Sequence, residues 1–224
     1  MTIEAVLFDL DGTLVDTAPD LVDVLNDLLR ERERAPMPYA IARNEVSNGA
    51  IGLIKLGFGT DCSNDELSAL RARFLERYMK NICVNSILFS GLNDIFNKLV
   101  ERGRRWGIVT NKPHAMTEAL LEQIGIGELP ACVIGGDRLP ERKPHPAPLR
   151  LAAEELGLST ARCIYVGDAP RDIEAGRAAG MRTVAAAYGY IRPAENPYGW
   201  GADAVVAHPS GLAKALAELD STLQ

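Results

Sequence analysis

The chain has 224 residues, which at about 150 residues per domain predicts one large domain or one and a half. Apolar residues make up 47% and charged residues 24%, near the globular average, so disordered and fibrous classes are excluded. A net charge of −6 argues against a nucleic-acid binder, no apolar run approaches the ~20 residues of a membrane span, and no basic segment precedes the first apolar run as in a secretory signal.

In chain order, Ala5-Val6-Leu7-Phe8 is a short apolar run that stops abruptly at polar residues, the pattern of a buried parallel strand. From Asp16 to about Asn85 no strand is predicted. Leu21, Leu25, Leu28 and Leu29 have helical spacing, Ile51, Ile54 and Leu56 suggest a short helix, and Leu67, Leu70, Phe74 and Tyr78 a longer one. Ser63 and Glu66 stand at capping-box spacing before that last helix. A helical block of ~70 residues is too long for an ordinary loop and is read as an inserted cap.

Strands and helices then alternate. Strands are predicted at residues 106–110, 132–134, 163–166 and 183–187. Between them come helices over 92–100, 117–124, 149–156 and 173–179, each followed by a glycine suited to a helix end. The expected fold is therefore α/β, a doubly wound parallel sheet with an inserted helical cap. The core is expected over residues 1–15 and 86–224, and the cap domain over 16–85.

Several chemistries lack their signature. Cys62, Cys83, Cys132 and Cys163 form no C-x-x-C pair, so zinc-ribbon and thiol-redox sites are disfavoured and a reducing cytoplasm is expected. The three histidines form no metal triad, and there is no P-loop, no G-x-G-x-x-G after a strand and no G-x-S-x-G.

The strongest signal is Asp9-Leu10-Asp11-Gly12-Thr13-Leu14-Val15-Asp16. Two carboxylates follow the carboxyl end of the first strand, where open α/β sheets bind ligands. Their repulsion calls for a cation, and an all-oxygen ligand set suits Mg²⁺. Gly12 permits an unusual turn, and Thr13 offers a hydroxyl and an amide to an anion. Asp168 and Asp172 are spaced i, i+4 and are expected on one face at a helix start. Lys143 brings positive charge, in a segment stiffened by Pro144, Pro146 and Pro148.

These residues resemble the four motifs of the haloacid dehalogenase superfamily of phosphohydrolases, in the family's order. They are the Asp9–Asp16 octet, Val109-Thr110-Asn111, Lys143, and Gly167-Asp168 with Asp172. The cap's position resembles the helical-cap subgroup. The resemblance implies that Asp9 is the nucleophile forming an aspartyl-phosphate, and that Asp11 is the general acid and base. It implies that Gly12, Thr13, Thr110, Asn111 and Lys143 hold the phosphate, and that Asp9, the Asp11 carbonyl, Asp168 and Asp172 hold Mg²⁺. Gly167 would bring the backbone close to that ion. Ser47-Asn48-Gly49, with Arg43, are the expected cap contacts to substrate.

The implied activity is phosphomonoester hydrolysis on a small phosphorylated metabolite, by a monomer or homodimer. The segments 110–113 and 143–148 resemble phosphoglycolate phosphatases. Tyr188-Gly189-Tyr190-Ile191, Asn196-Pro197 and residues 200–203 resemble relatives that dephosphorylate N-acetylmuramate 6-phosphate. A sugar phosphomutase and a non-catalytic metabolite-binding protein rank behind these.

Overall fold

The structure, a computed structural model, describes residues 2–221. In chain order, β1 (Ala5–Phe8) leads into β2 (Val15–Asp16) and α1 (Ala18–Glu31). Next come α2 (Tyr39–Ala42), a 3₁₀ turn over Arg43–Asn48, α3 (Gly49–Phe58) and α4 (Asn64–Lys80). After β3 (Ile87–Leu88) the alternation begins: α5 (Leu92–Glu101), β4 (Arg105–Val109), α6 (His114–Ile124), β5 (Val133–Ile134), α7 (Ala147–Glu155), β6 (Cys163–Gly167), α8 (Pro170–Ala179) and β7 (Arg182–Ala186). β8 (Ala204–Val206) and α9 (Leu212–Ser221) complete the described chain.

Six strands form one parallel sheet in the order β5-β4-β1-β6-β7-β8. The chain builds outward from β1 to one edge, then returns to build the other half from β6, so the winding reverses between β1 and β6. A crevice opens at the carboxyl ends of strands at such a switch point. Alternate side chains of β1 feed two cores. Val6 and Phe8 pack with Phe96 and Trp106, whose rings stack at 4.0 Å. Ala5 and Leu7 pack on the other face with Leu149 and Ala152 of α7 and Ala175 of α8.

Ser63 and Glu66 form the expected reciprocal cap on α4, with Glu66 N–H donating to Ser63 Oγ and Ser63 N–H to Glu66 Oε2. Gly125 and Gly180 end α6 and α8 in the left-handed conformation, as their positions predicted.

Five elements escaped the sequence reading: α2, α9, β2, β3 and β8. β2 and β3 form a two-residue antiparallel ladder, Val15 opposite Leu88 and Asp16 opposite Ile87, so Asp16 lies in a strand. β8 adds an edge to the main sheet. The helical block from α1 to α4 leaves and re-enters at the β2–β3 ladder. Buried Asp20 on α1 fastens its return, accepting hydrogen bonds from the amides of Val84, Asn85 and Ser86 and from the Ser86 hydroxyl. No helix among the described residues is long and apolar enough to cross a membrane.

Candidate active site

Asp9 follows β1, Thr110 follows β4 and Asp168 follows β6, so three neighbouring strands deliver polar residues to one rim. Asp168 lies before α8 rather than on it, because Pro170 opens the helix two residues later; Asp172 sits in its first turn. The expected i, i+4 helix face is therefore not what joins these two acids. They meet because the chain turns at Ala169, whose N–H donates to Asp172 Oδ2 at 3.0 Å.

Oxygen atoms of Asp9, Asp168 and Asp172 all lie within 4.8 Å of one another, and all three residues are buried. Lys143, 4% exposed, reaches into this cluster. Its Nζ is 2.9 Å from Asp9 Oδ1 and 2.8 Å from Asp172 Oδ1. The ammonium also donates to Val109 O at 3.1 Å and to the Tyr165 hydroxyl at 2.7 Å, which itself donates to Val109 O. Burial alone would depress the lysine's pKa, but Asp172 and Asp9 outweigh it and raise it, so the ammonium stays charged. Burial, then repulsion from Asp9 and Asp172, pushes the Asp168 carboxyl up to about 7. Burial also raises Asp172, against the opposing pull of Lys143.

The donor set fits a hard divalent cation. Asp168 Oδ1 is buried with no hydrogen-bond partner, and Asp9 Oδ1 and Asp172 Oδ1 have the lysine's charge but no directed hydrogen bond. Three buried carboxylates against the Lys143 ammonium and the nearby Arg171 guanidinium are still short of positive charge, and oxygen-only donors suit Mg²⁺. The backbone is shaped around the acids. A Cβ at Gly12, where φ is +84°, would lie 2.2 Å from Asp168 Oδ2; one at Gly189 would lie 2.3 Å from Asp168 Cβ. Gly167 makes room for Asp172 itself, since its Cβ would lie 2.3 Å from Asp172 Cβ. What that glycine admits is the acid's side chain.

Beside the cluster opens a cavity of about 290 Å³ between the sheet rim and the helical block. Asp9, Asp11, Thr110, Asn111, Ser47, Asn48 and Gly49 line it as the sequence predicted. The carboxylate of Asp11 stands apart from the three-acid cluster. Its Oδ1 accepts from Thr17 Oγ1 at 2.7 Å and from Lys112 Nζ at 2.9 Å, which leaves Oδ2 without a partner among the described residues.

Other expectations need correction. The Gly12 and Thr13 amides are spent inside the turn, on Val15 O and Leu10 O, and neither residue lines the cavity. The Thr13 hydroxyl is buried and unpartnered. The Asn111 side chain clamps the Lys143 peptide in both directions, which leaves its main-chain amide and one side-chain N–H for an anion. Arg43 does not line the cavity. Its guanidinium donates to Gly189 O at 3.0 Å and lies over the Tyr190 ring, which binds the helical block to the core.

Several residues were missed. Lys112 carries Asp11 and also donates to the Tyr78 hydroxyl at 2.9 Å. Arg171 donates to Ser47 O, and Ser47 Oγ donates to Asp168 Oδ2 at 2.9 Å. Tyr190 gives its N–H to the same Asp168 oxygen, while its hydroxyl accepts from the Thr17 and Ala18 amides at the start of α1. Lys112 and Arg171 each adjoin a recognised motif residue, which was the available signal.

Such a site on such a sheet defines a hydrolase, and the chain belongs to the haloacid dehalogenase-like hydrolase family, whose model matches residues 3–180. It is 43% identical over 216 residues to an N-acetylmuramic acid 6-phosphate phosphatase of Pseudomonas putida, covering 96% of this chain and 97% of that one. It is 44% identical over 209 residues to a phosphoglycolate phosphatase of Xanthomonas campestris pv. campestris, covering 93% and 94%. Its fold matches the crystal structure of a predicted phosphoglycolate phosphatase from Haemophilus somnus, with a TM-score of 0.85 and 28% identity over 96% of this chain and 98% of that one.

Proposed function

We propose that the protein is a Mg²⁺-dependent phosphomonoester hydrolase acting on a small phosphorylated metabolite in the cytoplasm, with the helical block over residues 16–85 as its cap domain. The observation that carries this reading is the buried cluster of Asp9, Asp168 and Asp172 around Lys143, which meets a cavity at the switch point through Asp9.

Asp9 attacks phosphorus, the bond to the ester oxygen breaks, and an aspartyl-phosphate forms. Asp11 gives a proton from its unpartnered Oδ2 to the leaving oxygen. In the second half, Asp11 takes a proton from the water that attacks phosphorus, which frees phosphate and restores Asp9. Lys143 fixes the nucleophile's orientation and faces the charge that spreads over the phosphoryl oxygens. The Asn111 amide and the Thr110 hydroxyl are the donors for those oxygens at the end of β4. Asp9, Asp168 and Asp172 would hold the ion, with the Asp11 carbonyl completing the set. Its chemistry there is neutralisation of phosphoryl charge.

For the substrate, 2-phosphoglycolate is the first reading, supported by the Xanthomonas relative. N-acetylmuramate 6-phosphate is the second, supported by the Pseudomonas relative and by the cavity wall. Phe74, Leu75, Met116 and Ile51 offer an apolar surface that a two-carbon acid cannot cover and an N-acetylated sugar can. Phosphate release from p-nitrophenyl phosphate tests the activity. We expect turnover with Mg²⁺ and a loss of at least about 1000-fold in Asp9→Asn. Undiminished turnover in that variant would overturn the mechanism.

A further inference from the structure

Four cationic side chains line the cavity: Lys112, Arg171, Arg71 and Arg142. Lys112 is held by Asp11, and Arg171 by the Ser47 carbonyl. The guanidinium groups of Arg71 and Arg142 have no hydrogen-bond or ion-pair partner among the described residues. Nor can the cavity supply one. Its two acids are Asp9 and Asp11, and each is already engaged by a lysine.

Arg71 is the more telling of the two, because it is half-buried and comes from the helical block. It shares one face of α4 with Phe74, Leu75 and Tyr78, at i, i+3, i+4 and i+7, and all four line the cavity. Tyr78 marks the catalytic end of that face, since its hydroxyl meets Lys112, which holds Asp11. Seven residues at 1.5 Å each set Arg71 about 10 Å along the wall from Tyr78. Its charge is therefore remote from the transferring phosphoryl group, with an apolar stretch between. A half-buried guanidinium beside Phe74 and Leu75 has lost part of its hydration, which an incoming anion replaces with a charge-assisted hydrogen bond.

We infer that Arg71 is the anchor of a second anion subsite, which takes a carboxylate carried by the substrate far from its phosphorus. This rests on the phosphatase reading and deepens it. Both candidate substrates carry a carboxylate, but the separation along α4 suits an extended sugar acid phosphate rather than a two-carbon one. Arg142, beside Lys143 in the chain and exposed, faces the same cavity from the core and is the second cation available to that carboxylate.

The test compares N-acetylmuramate 6-phosphate with N-acetylglucosamine 6-phosphate, which lacks the whole 3-O-lactyl group and with it the carboxylate. The wild type should favour the first in kcat/KM by at least about 10-fold. Arg71→Gln should lose about 10- to 100-fold on the first, mainly through KM, and at least 10-fold less on the second. Arg71→Lys should recover part of the loss. Equal kcat/KM for the two sugars in the wild type, or equal losses in Arg71→Gln, would overturn this subsite while leaving the phosphatase intact. Hydrolysis of no phosphomonoester at all would overturn both.

Discussion

Lys143 touches four oxygen atoms, two of them carboxylates that lack other strong donors. Its removal would leave Asp9 and Asp172 buried with their charges uncompensated. Breaking a buried pair in this way costs about 3–5 kcal/mol. Lys143→Met should therefore lower the free energy of unfolding by about that amount in Mg²⁺-free denaturant titrations, and lose turnover as well. An unchanged midpoint would contradict the balance of charge described here. At this scale the sequence was informative wherever an apolar run stopped abruptly. Asp9, Thr110 and Asp168 each follow one, so their placement at the rim needed no tertiary information. The partners of Asp11 and Asp168 were hidden for a physical reason. Lys112 meets Asp11 across 101 residues and Tyr190 meets Asp168 across 22, and neither contact leaves a local pattern. Arg43 misled because an arginine's charge is visible in sequence while the carbonyl that captures it is not.

The return of the chain from α4 to β3 depends on Asp20. One buried carboxylate satisfies three consecutive amides and a hydroxyl there, an arrangement that closes the helical block with hydrogen bonds rather than apolar contact. Asp20→Ala would orphan those donors, each worth roughly 1–3 kcal/mol when bonded to a charge. We expect a destabilisation of about 3 kcal/mol by thermal or urea unfolding. Asp20→Asn should fall between that variant and the wild type, because the amide oxygen accepts fewer of the four bonds. Long elements with strong periodicity, such as α1, α4 and α5, were legible from spacing alone. β2, β3 and β8 were not, because strands of two or three residues carry no alternation to detect; β5, equally short, was read only as an apolar run. α8 was read over 173–179, three residues short of its start at Pro170, while Asp168, expected at a helix start, lies before the helix.

Across the whole molecule, the acid cluster couples folding to pH. The folded-state pKa of Asp168, about 7, lies above its ordinary value of 3.8. Between those values the folded protein binds more protons at this group than the unfolded chain does. Its contribution to stability therefore declines as pH rises from about 4 to 7. Asp168→Asn removes that term. In Mg²⁺-free buffer the melting temperature of this variant should gain on the wild type as pH rises from 5 to 8. Added Mg²⁺ should raise the wild-type melting temperature more at pH 8 than at pH 5, because protons and the ion compete for the same oxygens. A pH-independent difference between the two proteins would show that the Asp168 carboxyl is not held neutral by its surroundings.

β2 and β3 are hydrogen-bonded neighbours, so the helices that run from Ala18 to Lys80 hang from the sheet as a side branch with adjoining roots. None of the six parallel strands passes through that branch, and their order is indifferent to its length. Insertions are best tolerated where the flanking ends already lie together. A foreign helical segment grafted between Asp16 and Ile87 would thus exchange the helical wall of the cavity and leave Asp9, Asp172 and Lys143 joined as before, while Asp11 and Asp168 would lose the hydroxyls of Thr17 and Ser47. Sheet and helical wall can therefore diverge separately in this chain wherever a new wall replaces the few hydrogen bonds that tie them together.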